Sequence, residues 1–261
     1  MPENERQPAP DRLSGWRPGG PVDLDASLGI LAGGDLVVEG RLPWSSNLTF
    51  LVTATGDDDV DGSRTVRGVY KPGQGERPLW DFPDRLYRRE VAAWVLAEAC
   101  GWPLVPPTVE REEGPFGPGS VQLFIDADYE EHYFTLYEAG GHDDVLRVLC
   151  AFDVVANNAD RKGGHVLRGT DGRLWAIDHG VCFHREPKLR TVLWDYAGEE
   201  VPAGVLATLA GVGADLPVEL EDLLSGAECQ AVVDRIDDLV ARGTYPHPVD
   251  DLHPPYPWPL V

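Results

Sequence analysis

Ala151-Phe152-Asp153-Val154-Val155-Ala156-Asn157-Asn158-Ala159-Asp160-Arg161-Lys162-Gly163-Gly164-His165 and, shortly after it, Ala176-Ile177-Asp178-His179-Gly180 decide how this chain is read. An apolar helical run passes into a polar loop that carries an Asp-Arg pair. A short apolar strand then ends in a second Asp followed closely by Gly. Phosphoryl transfer from a nucleotide needs such parts: one carboxylate to orient the attacking hydroxyl, and further ligands to hold a divalent cation on the phosphates. It also needs a strand-borne cation for the phosphate oxygens. Gly68-Val69-Tyr70-Lys71-Pro72 supplies one upstream.

Working outward, residues 1–21 are polar and rich in Pro, Gly and Arg, and read as a disordered tail. A short helix is expected over 23–31, stopped by Gly33-Gly34. Strands are expected at 36–42, 48–53 and 64–71. The first two are joined by Pro43-Trp44-Ser45-Ser46-Asn47 and the last two by an acidic loop, 56–62. The spacing predicts a helix over 86–100 with Val91, Ala92, Val95, Leu96 and Ala99 on one face, ended by Gly101. Strands at 104–109 and 120–125 follow, joined by a Gly/Pro turn. An acidic stretch then leads into a helix over 143–157. Beyond the motif loop comes a hairpin with strands 164–167 and 174–177 and Asp171-Gly172 in its turn. Helices are expected at 205–209 and 228–242, and the Pro-rich end is expected to pack as an extended tail through Tyr256 and Trp258. The regular strand–helix alternation of a parallel sheet is missing. The expected fold is α+β and two-lobed, protein-kinase-like. Its β-rich N-lobe covers 22–127 and its mainly helical C-lobe 128–261.

The bulk properties bound the partners. The chain has 261 residues, 43% hydrophobic, with a net charge of −22. So acidic a surface repels nucleic acid and anionic lipid. No apolar run approaches the roughly 20 residues that span a bilayer. The N-terminal stretch lacks the apolar core of a signal peptide, so a cytoplasmic location and no stable membrane insertion are expected. Three Lys stand against nineteen Arg, and Lys71 and Lys162 both fall inside the motif regions. Cys100, Cys150, Cys182 and Cys229 are widely separated and read as buried reduced thiols, with Cys182 close enough to Asp178 in sequence to lie near the site.

Each candidate has a bland alternative. Asp160 reads as the catalytic carboxylate; alone, an Asp-Arg pair is more often a local turn. Asp178 reads as a metal ligand rather than a turn carboxylate, with Gly180 allowing the sharp exit. His165 is a metal ligand, a phosphate contact, a partner of Asp160 or a structural histidine. Imidazole suits Mn²⁺ better than Mg²⁺ and must be neutral to bind, so metal affinity is expected to fall as pH drops through about 6.5. Asn158 either binds metal or braces the loop. Lys71 pairs with nucleotide phosphates, and Glu90 on the following helix is its natural ion-pair partner; an exposed edge lysine and a charged helix surface are the alternatives. Ser45, Ser46 and Asn47 form a turn whose backbone N–H groups can approach phosphates, or an ordinary polar turn. Gln122 and Phe124 fall near the lobe hinge, where backbone groups contact a nucleotide base, or in a plain core strand.

Asp153-x4-Asn158-x-Asp160-Arg161 with Ile177-Asp178-His179-Gly180 resembles the catalytic and metal-binding segments of type II phosphatidylinositol 4-kinases and their bacterial relatives. Val69-Tyr70-Lys71-Pro72 resembles the Lys-Pro strand of that group, and Glu90-Val91-Ala92-Ala93-Trp94 its Glu-bearing helix. More closely, three segments resemble an actinobacterial family of phosphatidylinositol 3-/4-kinase-like proteins. These are Leu42-Pro43-Trp44-Ser45-Ser46-Asn47, Gly75-Glu76-Arg77-Pro78-Leu79-Trp80-Asp81-Phe82-Pro83 and Asn158-Ala159-Asp160-Arg161-Lys162-Gly163-Gly164-His165. Two positions depart from the pattern: His165 replaces an Asn, and His179 replaces the Asn of Ile-Asp-Asn-Gly. The Cys-rich palmitoylation segment of the eukaryotic lipid kinases is missing. The resemblance implies an ATP- and Mg²⁺- or Mn²⁺-dependent phosphotransferase with a hydroxyl acceptor that is a small molecule, a lipid or a protein. The alternatives are a non-catalytic, kinase-like nucleotide-binding module and an enzyme that transfers AMP on the same fold.

Overall fold

The computed structural model describes residues 24–43, 47–58, 62–249 and 254–261. The expected tail over 1–21, and Ser45 and Ser46, lie outside the described residues.

The first half is built on one antiparallel sheet. After α1 (Leu24–Gly33) come β1 (Asp35–Arg41), β2 (Phe50–Asp58), β3 (Gly62–Pro72), β4 (Thr108–Arg111) and β5 (Gly119–Leu123), in the spatial order β1-β2-β3-β5-β4. Side chains alternate across a strand. In β3 this sends Val66 and Tyr70 into a small core with Ile30, Leu31, Val52 and Val121. Lys71 is left on the opposite face. The expected strand at 104–109 begins only at Thr108, because Pro106 and Pro107 cannot supply ladder N–H groups.

Between β3 and β4 lies α2 (Tyr87–Ala99). It was expected to be amphipathic. Instead it is buried nearly all round: Val91 is buried, Ala92, Ala93, Leu96 and Ala97 join the large core of the helical half, and Ala99 is exposed. A helix placed between two halves needs more than one apolar stripe. The rest of that core comes from α3 (Tyr133–Ala139), α4 (Asp143–Ala156), the hairpin β6 (Val166–Arg168) and β7 (Leu174–Ala176), α5 (Ala203–Ala214), α6 (Val218–Leu223) and α7 (Gly226–Arg242). Each fully buried Leu, Val or Phe there contributes about 1.5–3 kcal/mol.

Local signals set the element ends. α4 carries Asp143 and Asp144 in its first turn, favourable at the positive end of a helix dipole, and stops at Asn157, which takes a left-handed φ of 52°. α7 starts in a Ser225–Glu228 capping box and stops at Gly243 with φ 68°. Among the described residues no helix is long and apolar enough to cross a membrane.

Candidate active site

Lys71 leaves β3 toward α2 and toward the turn after β7. Its ammonium donates to Glu90 and, at 2.8 Å, to Asp178 Oδ1. Glu90 is buried, and its second oxygen accepts the His179 N–H at 2.9 Å. One helix carboxylate thus holds both the strand lysine and the segment carrying Asp178. Burial opposes the Lys71 charge, but Asp178 and Glu90 outweigh it and raise the pKa above the ordinary lysine value. Lys71 in turn holds Asp178 below the usual carboxylate range. Asp178 itself makes the sharp turn, with φ 62°, and Gly180 does not adopt a positive φ. Glycine is needed at 180 for space: a Cβ there would lie 3.3 Å from Glu90 Oε1.

The loop after α4 is organised around a buried guanidinium. Arg161 is fully buried and grips Asp153, also fully buried, with an Nε–Oδ2 distance of 2.9 Å and an Nη2–Oδ1 distance of 3.0 Å. The same guanidinium donates to the Ile177 carbonyl at 2.8 Å and contacts His179 Nε2 at 2.7 Å. It ties α4, the loop and the Asp178 turn into one piece. Sequence reasoning had not assigned this role to Asp153 or Arg161. The available signal was an ionisable residue inside the apolar end of α4, which requires a buried partner.

Asp160 is partly exposed, and Lys162 bridges it at 3.0 Å. Burial pushes its pKa up against the pull of Lys162. Asn158 is fully buried: its Nδ2 donates to Asp153 at 3.1 Å and its Oδ1 accepts the Asp160 N–H at 3.0 Å. Both amide atoms are engaged, the geometry of a brace rather than of a metal ligand. His165 Nδ1 accepts the Lys162 N–H at 3.4 Å, which leaves the proton on Nε2, 3.4 Å from Asp178 Oδ2. Burial pushes the His165 pKa down to about 4. The imidazole is therefore neutral well below the expected window near 6.5.

Other expected residues fall elsewhere. Gln122 lies inside the sheet with its amide on Thr108 Oγ1 at 2.9 Å, and Phe124 donates its N–H to the Arg67 carbonyl at 3.0 Å. Gln122 is within β5 and Phe124 directly follows it. Asn47 Oδ1 accepts the Arg77 N–H at 3.0 Å, linking the β1–β2 turn to the segment after β3. Cys182 is buried, and so are the other three thiols. The tail docks differently from expectation. Trp258 is 86% exposed, and the contacts are made by backbone carbonyls. Pro255 O accepts from Thr191 N–H at 3.1 Å and from the Trp194 indole at 2.9 Å, and Leu260 O accepts the Gly163 N–H at 2.7 Å.

No protein-family model matches the sequence. The chain is 39% identical to Protein Rv2133c of Mycobacterium tuberculosis over 268 aligned positions, which cover 88% of this chain and 94% of that one. The chain belongs to the Rv2133c family. Among solved structures, that of hydra Fam20 with sugar superposes with a TM-score of 0.51 at 14% identity, covering 85% of this chain and 90% of that chain. This likeness shows a shared fold, and the family has a two-lobed, kinase-like α+β fold. The Helicobacter pylori proinflammatory kinase CtkA is similar at a TM-score of 0.44 and 11% identity, over 82% of this chain and 94% of that one.

Among the described residues no cluster of three or more His, Cys, Asp or Glu encloses a metal. Asp178 is half-exposed beside Lys71.

Proposed function

We propose that this protein is an ATP- and divalent-metal-dependent phosphotransferase acting on a hydroxyl acceptor. One observation carries the reading: Lys71 Nζ bridges Glu90 and Asp178, residues from a strand, a helix and a loop, with Lys71 and Asp178 107 positions apart. A structural ion pair would not need a half-exposed carboxylate as its third member. The phosphates would enter where Lys71 now meets Asp178, and the lysine would pass from carboxylate to phosphate oxygens. Bound to Asp178, Mg²⁺ or Mn²⁺ would neutralise charge developing on those oxygens. His165 stands at the second Asp178 oxygen and holds the carboxylate in orientation. Asp160 accepts a hydrogen bond from the acceptor hydroxyl and aims its oxygen for in-line attack. Asn158 and Arg161 fix the loop that carries it. Ser45, Ser46 and Asn47 would offer backbone N–H groups to the phosphates, and the backbone around Gln122 and Phe124 would hold the base. The N-lobe over 22–127 and the C-lobe over 128–261 belong to the same reading.

The test is turnover of γ-labelled ATP with Mg²⁺ or Mn²⁺ in a cell extract that offers candidate acceptors. The expected result is labelled acceptor with the wild type and none with Asp160→Asn, which should still bind nucleotide. Label transferred only from α-labelled ATP would mean AMP transfer. Nucleotide bound without turnover would mean a non-catalytic module.

A further inference from the structure

Arg190 is placed beside Asp160 by the backbone. Its N–H donates to the Asn158 carbonyl at 2.8 Å, and its carbonyl accepts the Arg161 N–H at 3.0 Å. Val192 N–H donates to the Arg161 carbonyl at 3.1 Å, so residues 190–192 run parallel to the loop like an added strand. The opposite flank of the loop is held by Val181 O, which accepts the Ala159 N–H at 3.1 Å, and by Ile177 O, which accepts from Arg161. Asp160 therefore lies between the Asp178 side and the Arg190 side. If phosphates enter at Asp178, the acceptor approaches Asp160 from the side of Arg190.

The other cations around the loop have partners. Lys71 holds Glu90 and Asp178, Arg161 holds Asp153, Lys162 holds Asp160, and Lys188 holds Asp81. The Arg190 Nε, closed off from solvent, makes no hydrogen bond, and the guanidinium's charge acts on nearby Asp160 without an ion pair being formed. This happens in a chain with 44 Asp and Glu against 22 Lys and Arg. With Nε closed off, a ligand would meet the guanidinium through its Nη nitrogens, beside Asp160. The planar guanidinium fork matches a phosphate or carboxylate.

We propose that Arg190 is a specificity-determining residue that binds an anionic group on the acceptor, so that the acceptor is a small phosphorylated or carboxylated alcohol. The hydroxyl's role rests on the phosphotransferase reading; the anion site does not. A soluble acceptor is favoured over a lipid headgroup because a surface of net charge −22 repels an anionic bilayer.

The test uses the full chain and its Arg190→Gln and Arg190→Lys variants, each first shown to melt as the wild type does. Glycerol 3-phosphate, glycerate and glycerol are titrated by calorimetry, and vesicles of phosphatidylcholine with and without phosphatidylinositol are sedimented. The wild type should bind one or both anionic probes and not glycerol. Arg190→Gln should weaken that binding roughly ten- to hundredfold, the factor for a hydrogen bond to a charged group. Arg190→Lys should retain part of it. Equal affinities for wild type and Arg190→Gln, or no anion binding by the wild type at ~10 mM, would overturn the proposal. So would Arg190-dependent sedimentation with phosphatidylinositol vesicles alone. Arg190-dependent anion binding without any γ-label transfer would support the anion site and count against the phosphotransferase reading instead.

Discussion

Replacing Asp153 with Asn strips the buried Arg161 guanidinium of its counter-charge. Both side chains are fully buried, and Asp153 also accepts from Asn158 at 3.1 Å and Thr191 at 3.3 Å. Removing one partner of a buried ion pair costs about 3–5 kcal/mol, because the remaining charge stays desolvated. Asn keeps one acceptor oxygen, so the lower end, about 3 kcal/mol, is expected. For a chain of this size each kcal/mol shifts the melting temperature by roughly 2–4 °C, which gives a fall of about 6–12 °C. The assay is thermal denaturation followed by circular dichroism at neutral pH. The double variant Asp153→Leu/Arg161→Met removes both charges and should melt above either single variant, since apolar replacement of a whole pair is often neutral or stabilising. It should nevertheless lose γ-label transfer, because the guanidinium that ties the Asp160 loop to the Ile177 carbonyl and to His179 is then gone. A fall below about 2 °C for Asp153→Asn would refute the claim that this pair braces the loop. A double variant as unstable as the sum of the singles would refute the desolvation argument behind it.

Lys71→Met should leave Glu90 buried without its cation, lower stability by about 2–3 kcal/mol and abolish the thermal shift caused by Mg- or Mn-ATP. An unchanged nucleotide shift would exclude Lys71 as the phosphate cation. The Lys188–Asp81 bridge, 2.8 Å long, should be acid-labile. Its hydrogen bond to Lys188 holds Asp81 below the ordinary carboxylate value, so its contribution is present above the unfolded pKa near 3.9 and lost as pH falls through the lower folded value. Urea midpoints of wild type and Asp81→Asn should therefore differ at pH 7 and converge below about pH 4; a constant gap would show that the bridge contributes nothing through its charge.

Much of the site was legible because it depends on short-range pattern. Lys71 in a β-rich run, Glu90 in a helix and Asp178 at the end of an apolar strand each announce their element, and the fold brings those three together. Arg161 was less legible. Its burial depends on Ile177, His165 and Asp153 converging from three elements, which no local window shows. The short helices α3 and α6 carry too few turns for a periodic signal, and tertiary packing of Tyr133, Leu136 and Leu220 fixes them. The tail was misread for a related reason. Aromatic residues suggested side-chain packing, but the glycines of the loop after α4 admit its backbone instead: a Cβ on Gly163 would stand 3.0 Å from Phe134 and 3.3 Å from Leu260 O.

Lysine usage connects the site to the closure of the two halves. Of the three lysines, Lys71 reaches from the sheet to Asp178, and Lys188 reaches from the helical half to Asp81 on the segment after β3. Arginines serve where a fixed fork is needed, as Arg161 does on Asp153 and Arg168 on Glu131. A lysine ammonium is a point charge on a flexible stem and exchanges partners with little geometric penalty. The Lys71–Asp178 and Lys188–Asp81 contacts each involve a carboxylate that keeps some exposure to water, so each is weak enough to break and re-form. Arg89, by contrast, locks α2 to the Cys182 carbonyl and to Glu228 from a fully packed position. The helix bearing Glu90 is therefore fixed to the helical half, and Lys71 joins the sheet both to its buried carboxylate and to the half-exposed Asp178. A nucleotide entering between Lys71 and Asp178 would displace the contact most easily replaced and leave the Glu90 and Arg161 anchors intact.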